Sequence, residues 1–179
     1  MRPLETLTAF DHFLAESGLF LDAVIVGGTA LSLIGVISRP TRDCDVLYPA
    51  LSSELRAAAA SFAKQIRAMG GALDDNWLND TAALVAHTLP PGWMERLHEI
   101  FRGRAITLRS LGRIEILMTK LYALCDRGID LPDCVALAPT PTELDQILPW
   151  LRQQDLHPEW PGHVERILND LRGRLADAT

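Results

Sequence analysis

The hydrophobic pattern of the chain begins at helical period and then changes to the period of strands. Leu4, Leu7, Phe10, Phe13 and Leu14 recur on one face and stop at Gly18, which predicts a helix over residues 4–17. Residues 22–28 run apolar and β-branched into two glycines, and residues 43–48 form a second apolar run closed by Tyr48-Pro49; both read as strands. Between them Thr29 to Ile37 is short, small and apolar, a buried helix with Thr29 capping its first turn and Pro40 stopping it. Ser52 or Ser53 caps a third helix whose Leu55, Phe62, Ile66 and Met69 carry an apolar face as far as Gly70-Gly71.

Asp74-Asp75-Asn76-Trp77-Leu78-Asn79-Asp80 interrupts this pattern with polar residues around one aromatic. It reads either as a capped loop or as an acidic loop near a metal site. After the break at Pro90-Pro91-Gly92, residues 97–101 and 104–109 read as two strands about the Gly103 turn, the second alternating. Helical period then returns. Ile114, Leu117, Met118, Leu121, Leu124 and Cys125 mark a helix over residues 112–127, Thr140-Pro141-Thr142-Glu143 is a capping box before another, and Val164, Ile167, Leu168, Leu171 and Leu175 mark the last. The class expected is α/β (α+β): a small mixed sheet of about four strands flanked by helices. The expected division is a core over residues 1–110 and a helical C-terminal part over 111–179 packed on it.

A chain of 179 residues with 48% hydrophobic content can bury a real core. No apolar run approaches the roughly 18 residues of a membrane span, and the N-terminal residues lack a signal-peptide segment, so the expectation is a cytoplasmic protein without a membrane. Cys44, Cys125 and Cys134 show no metal or disulfide spacing and read as small buried hydrophobes, and the five histidines are scattered. A net charge of −6 argues against coating nucleic acid broadly. It leaves room for a local groove, since seven of the 17 basic residues fall between Glu95 and Arg127 against four acids.

The chemistry concentrates in Val24-Ile25-Val26-Gly27-Gly28-Thr29 and in Arg39-Pro40-Thr41-Arg42-Asp43-Cys44-Asp45. A strand ending in Gly27 and Gly28 and turning into a helix at Thr29 leaves backbone N–H groups open to a phosphate. Asp43 and Asp45, two apart in an extended chain, project to one face while Cys44 faces the other. Two aligned carboxylates repel unless a cation lies between them, and a hard oxygen-seeking ion such as Mg2+ suits them. A phosphate seat beside a divalent-metal pair is an arrangement for holding a nucleoside triphosphate for attack at phosphorus.

These residues resemble the nucleotidyltransferase superfamily of the DNA polymerase β type, with its diglycine turn followed at short range by Asp-x-Asp. Within it the chain looks most like the AbiEii-type toxins of abortive-infection systems, with a slightly longer spacer between Gly28 and Asp43. Lys120-Leu121-x-Ala123, Arg127, Asp130 and Asp133 resemble the second block of the same proteins. The resemblance implies an enzyme in which Asp43 and Asp45 bind Mg2+, and Gly27, Gly28 and Thr29 cradle the NTP phosphates. It also implies that Lys120 contacts the triphosphate and that Asp133 supports the lysine or the metal. The implied acceptor is tRNA or another RNA, and the implied partner a cognate antitoxin.

Other readings of the same residues stay open. Arg113, Lys120 and Arg127 span roughly 21 Å of helix at 1.5 Å per residue, too far for all three to hold one triphosphate. Arg127 and Asp130 read equally as an ion pair or a cap for the helix near Leu131-Pro132. Residues 104–109 contain no acid for a third metal carboxylate, and Glu99, Asp75 and Glu115 are the substitutes available. A small-molecule nucleotidyltransferase of the antibiotic-modifying kind, and a non-catalytic nucleotide- or partner-binding module with a degenerate site, are the rival functions.

Overall fold

The computed structural model describes residues 2–177, and the chain divides into two compact units, Met1–Gly112 and Arg113–Thr179. In the first unit a five-stranded mixed sheet runs in the order β3-β2-β1-β5-β4. The strands are β1 (Leu21–Val26), β2 (Cys44–Tyr48), β3 (Leu78–Asn79), β4 (His98–Arg102) and β5 (Ile106–Ser110). β1 at the centre pairs antiparallel with β2 and parallel with β5. The core lies on one sheet face, where Leu21, Ala23, Ile25, Cys44, Val46, Ile106 and Leu108 meet two helices. These are α1 (Pro3–Glu16), through Leu7, Phe10 and Leu14, and α3 (Ser53–Ala68), through Ala58, Ala59, Phe62 and Ala63.

The α3 alanines let this helix approach closely, and aromatic rings fill the remaining space: Phe10 stacks edge-on to Trp77 at 5.0 Å and tilts against Phe62 at 5.1 Å. Trp77 is fully buried, and its indole N–H donates to Ala59 O at 3.1 Å. Ser52 is the residue that caps α3, accepting from Leu55 N. Leu4 and Met69 depart from the expected faces and are 60% and 75% exposed; Met69 is the C-cap residue, one position past the end of α3. Asp11, by contrast, is buried on α1.

Two boundaries need correction. The helix after β1, α2 (Gly27–Leu33), starts on the diglycine itself and ends well before Pro40. Gly35, at φ +77, turns the chain left-handed, and Val36 N bonds back to Leu31 O, closing the helix there. The polar stretch around Trp77 contains a strand that the pattern does not show. Two residues are too few to display a period, and β3 is fixed by long-range pairing with β2.

The second unit is helical: α4 (Arg113–Arg127), α5 (Leu131–Leu137), α6 (Pro141–Leu151) and α7 (Trp160–Asp177). Leu117, Leu121 and Leu124 of α4 are buried with Leu144, Ile147 and Leu151 of α6 and Val164, Leu168 and Leu171 of α7. The predicted capping box starts α6: Thr140 Oγ1 accepts from Glu143 N, and Glu143 accepts from Thr140 N. Arg113 donates to the same glutamate at 2.6 Å, and this bond holds the Glu143 carboxyl down at about 2. All three cysteines are buried free thiols, and burial pushes those of Cys125 and Cys134 up to about 11 and 12. No helix among the described residues is long and apolar enough to cross a membrane.

Candidate nucleotide and metal site

Asp43 sits one residue before β2 and Asp45 inside it. Both are half-buried, while Cys44 between them is fully buried in the core, as the alternation of an extended chain requires. Burial raises the Cys44 thiol, and the charges of Asp45 and Asp43 raise it further. Asp45 pairs across the sheet with Val26, the last residue of β1 and the N-cap of α2. This register brings the acidic strand against the diglycine turn. A Cβ on Gly27 would lie 2.6 Å from Asp45 Oδ2, and Gly27 also has φ +74, so only glycine lets the carboxylate approach here.

Gly28 and Thr29 fasten the segment that precedes the acids. A Cβ on Gly28 would meet Thr41 Cγ2 at 3.0 Å. The fully buried Thr29 donates its hydroxyl proton to Asp43 O at 2.6 Å, leaving its oxygen to accept from Thr41 Oγ1 at 3.0 Å. Thr29 therefore does not cap α2 with its side chain: Val26 occupies the cap position, and the hydroxyl instead fixes the path of residues 41–43. Any contact of Thr29 with a phosphate falls to its backbone N–H, since the first-turn N–H groups of a helix have no intrahelical acceptor.

One neighbour of the acids was not legible in the sequence. Asn79 lies opposite Asp45 in the β2–β3 pairing and donates from Nδ2 to Asp45 Oδ1 at 3.2 Å. The carboxylates of its own loop serve elsewhere. Asp75 pairs with Arg67, and Asp80 takes a two-pronged bond from Arg56 and a third from Leu51 N. The Arg56 bonds hold the Asp80 carboxyl below its ordinary value. What the loop brings to Asp45 is an amide rather than another acid.

The three substitutes for a third carboxylate are likewise placed. Glu99 on β4 pairs with Arg102, Asp75 with Arg67, and Glu115 is buried on α4 in the second unit. On β5, Arg109 stands in register with Val24 and forms an ion pair with Asp22. Among the described residues no group of three or more His, Cys, Asp or Glu side chains is assembled to hold a metal.

Lys120 and Asp133 meet in the second unit. The Lys120 ammonium donates to Asp133 Oδ2 at 2.7 Å and to Asp130 Oδ1 at 2.9 Å, and Arg127 reaches the other Asp130 oxygen at 3.2 Å. Asp130 occupies the N-cap position of α5, but its side chain makes no capping bond because both oxygens are taken by these cations. Burial alone would lower the Lys120 ammonium; the bonds to Asp133 and Asp130 outweigh it and raise its pKa.

A family model described as nucleotidyltransferase of unknown function (DUF6036) matches residues 3–134, from the first residue of α1 to Cys134 in α5. No curated protein and no solved structure matches the chain.

Proposed function

The chain belongs to this nucleotidyltransferase family, and we propose on that premise that it moves a nucleoside monophosphate from an NTP to an acceptor hydroxyl, releasing pyrophosphate. The observation that carries the reading is the approach of Asp45 Oδ2 to Gly27, which joins the acidic pair and the diglycine turn in one place. Hard carboxylate oxygens from Asp43 and Asp45, half-buried beside a backbone cleared of a Cβ, are a donor set that suits Mg2+. When bound, the ion supplies Lewis-acid polarisation of a phosphoryl oxygen and offsets the charge of the leaving pyrophosphate.

The chain's own contribution is orientation. Asp43 and Asp45 fix where the cation sits, because the Thr29 bond sets the backbone of one and the Val26 pairing that of the other. The N–H groups of Gly27, Gly28 and Thr29 face the phosphates with partial positive charge that needs no rearrangement during reaction. The bonds within the second unit support mutual positioning as the role of Lys120 and Asp133. For the acceptor we propose RNA, tRNA in particular, and for a partner an antitoxin protein; the support for both is the resemblance to the AbiEii-type toxins.

Isothermal titration with Mg2+ and each of the four NTPs tests the site. The expected result is binding that the Asp43→Asn, Asp45→Asn double variant abolishes with its thermal melt unchanged, since the Thr29 bond uses only the Asp43 backbone. Binding unaffected by the double change rejects the site. Transfer of labelled nucleotide onto tRNA, against transfer onto small alcohols and amines, separates the toxin-like acceptor from an antibiotic-modifying one. A binding module without transfer is the second reading, favoured by β5, which sets Arg109 paired to Asp22 beside β1. Titration heats with no label transferred to any acceptor select it.

A further inference from the structure

Asn79 is held more firmly than a surface amide needs to be. Its Oδ1 accepts two bonds from Thr81, from the backbone N at 3.1 Å and from the hydroxyl at 2.6 Å. An amide whose oxygen is committed in this way cannot flip without setting its NH2 against the Thr81 backbone N–H, which can only donate, so Nδ2 is left aimed the other way. It points at Asp45 Oδ1, 3.2 Å off. The backbone beneath is fixed as well. Cys44 N donates to Trp77 O at 2.5 Å, Trp77 and Leu78 are buried in the core, and Asn79 stands in register with Asp45.

We infer that Asn79 is the positioning residue of the site: by its bond to Oδ1 it sets the orientation in which the Asp45 carboxylate, lying over Gly27, meets the cation. The inference rests on the nucleotidyl-transfer reading above. Of the two residues of this strand Leu78 serves the core, and the register of the other, Asn79, delivers one donor to one carboxylate. Partners of this kind, which orient a metal-binding side chain without touching the metal, typically change metal affinity ten- to a hundredfold when removed.

The test is Mn2+ titration of the full chain, followed by electron paramagnetic resonance, on wild type, Asn79→Ala and Thr81→Ala. Asn79→Ala weakens Mn2+ binding about tenfold or more with its thermal melt unchanged. Thr81→Ala, at an exposed position, removes the hydroxyl donor and keeps the backbone one, so the amide is held by one bond instead of two and the loss is smaller in the same direction; it decides the matter if Asn79→Ala does not fold. Wild-type binding that both variants leave unchanged overturns the inference alone. A wild type that binds no Mn2+ overturns the nucleotidyl-transfer reading and takes the inference with it. A third measurement needs no metal: the Asn79 side-chain N–H resonances move in Asp45→Ala, and unmoved resonances overturn the inference whatever the titrations give.

Discussion

Asp11 sits on the buried side of α1 and is paired with backbone instead of a cation. Its carboxylate accepts from Arg104 N at 2.9 Å and from Ala105 N and Ile106 N at 2.8 Å, tying α1 to the turn before β5. Gly103 makes the turn available, since a Cβ there would fall 2.1 Å from Asp11 Oδ1. Burial alone would raise the Asp11 carboxyl; the three backbone donors and the charge of His12 outweigh it and hold it below its ordinary value. Asp11→Ala strips two buried N–H groups and one partly buried one of their acceptor, and is expected to cost about 2–4 kcal/mol in urea unfolding. The pH dependence carries a sign. A depressed carboxyl stabilises above its ordinary value and loses that contribution as pH falls through the folded value, so wild type loses more stability on acidification than Asp11→Ala does. At this scale the sequence shows what is local. Gly27, Asp43 and Asp45 are legible because strand alternation and a glycine turn act within a few residues, whereas Asp11 and Asn79 find their partners 93 to 95 and 34 residues away.

Helix α4 shows how one element can be read correctly in outline and still mislead about a side chain. Its apolar stripe follows the period, with Leu117, Met118, Leu121, Leu124 and Cys125 all buried and Ile114, in the first turn, half-buried. Lys120, three and four residues from Leu117 and Leu124, lies on that stripe and is buried with them, while Arg113 and Arg127 on the same line are half exposed. A periodic row of cations thus divides into one interior ammonium and two surface guanidiniums, and only the carboxylates of α5 and its cap make the interior one tolerable. Lys120→Met alone leaves Asp130 and Asp133 buried without their ammonium, and is expected to destabilise the chain by about 3–5 kcal/mol. Adding Asp130→Asn and Asp133→Leu removes the stranded charge and restores most of that loss. Thermal or urea unfolding of the single and triple variants checks the pair; a triple variant no more stable than the single one rejects the account.

For the whole molecule, the class and the mixed sheet were legible from the change of period along the chain. The strand order was not, because β1 joins β2 and β5 through pairings that no local pattern encodes. The family match adds a question of extent, since it ends at Cys134, inside the second unit. That unit cannot close its core there. Leu144, Ile147, Leu151, Val164, Leu168 and Leu171, each at most 1% exposed, all come from α6 and α7. At roughly 1.5–3 kcal/mol per buried aliphatic side chain they contribute on the order of 10 kcal/mol, comparable with the net stability of a whole domain. A chain ending after Ala138 keeps every residue of the family match and both carboxylates around Lys120, yet it exposes the apolar stripe of α4. Hydrogen exchange read over residues 113–137 is expected to show protection in the full chain and none in the shortened one. Protection that survives the truncation would mean that α4 and α5 are held without α6 and α7, and that the charged cluster, not the leucine core, is what keeps them folded.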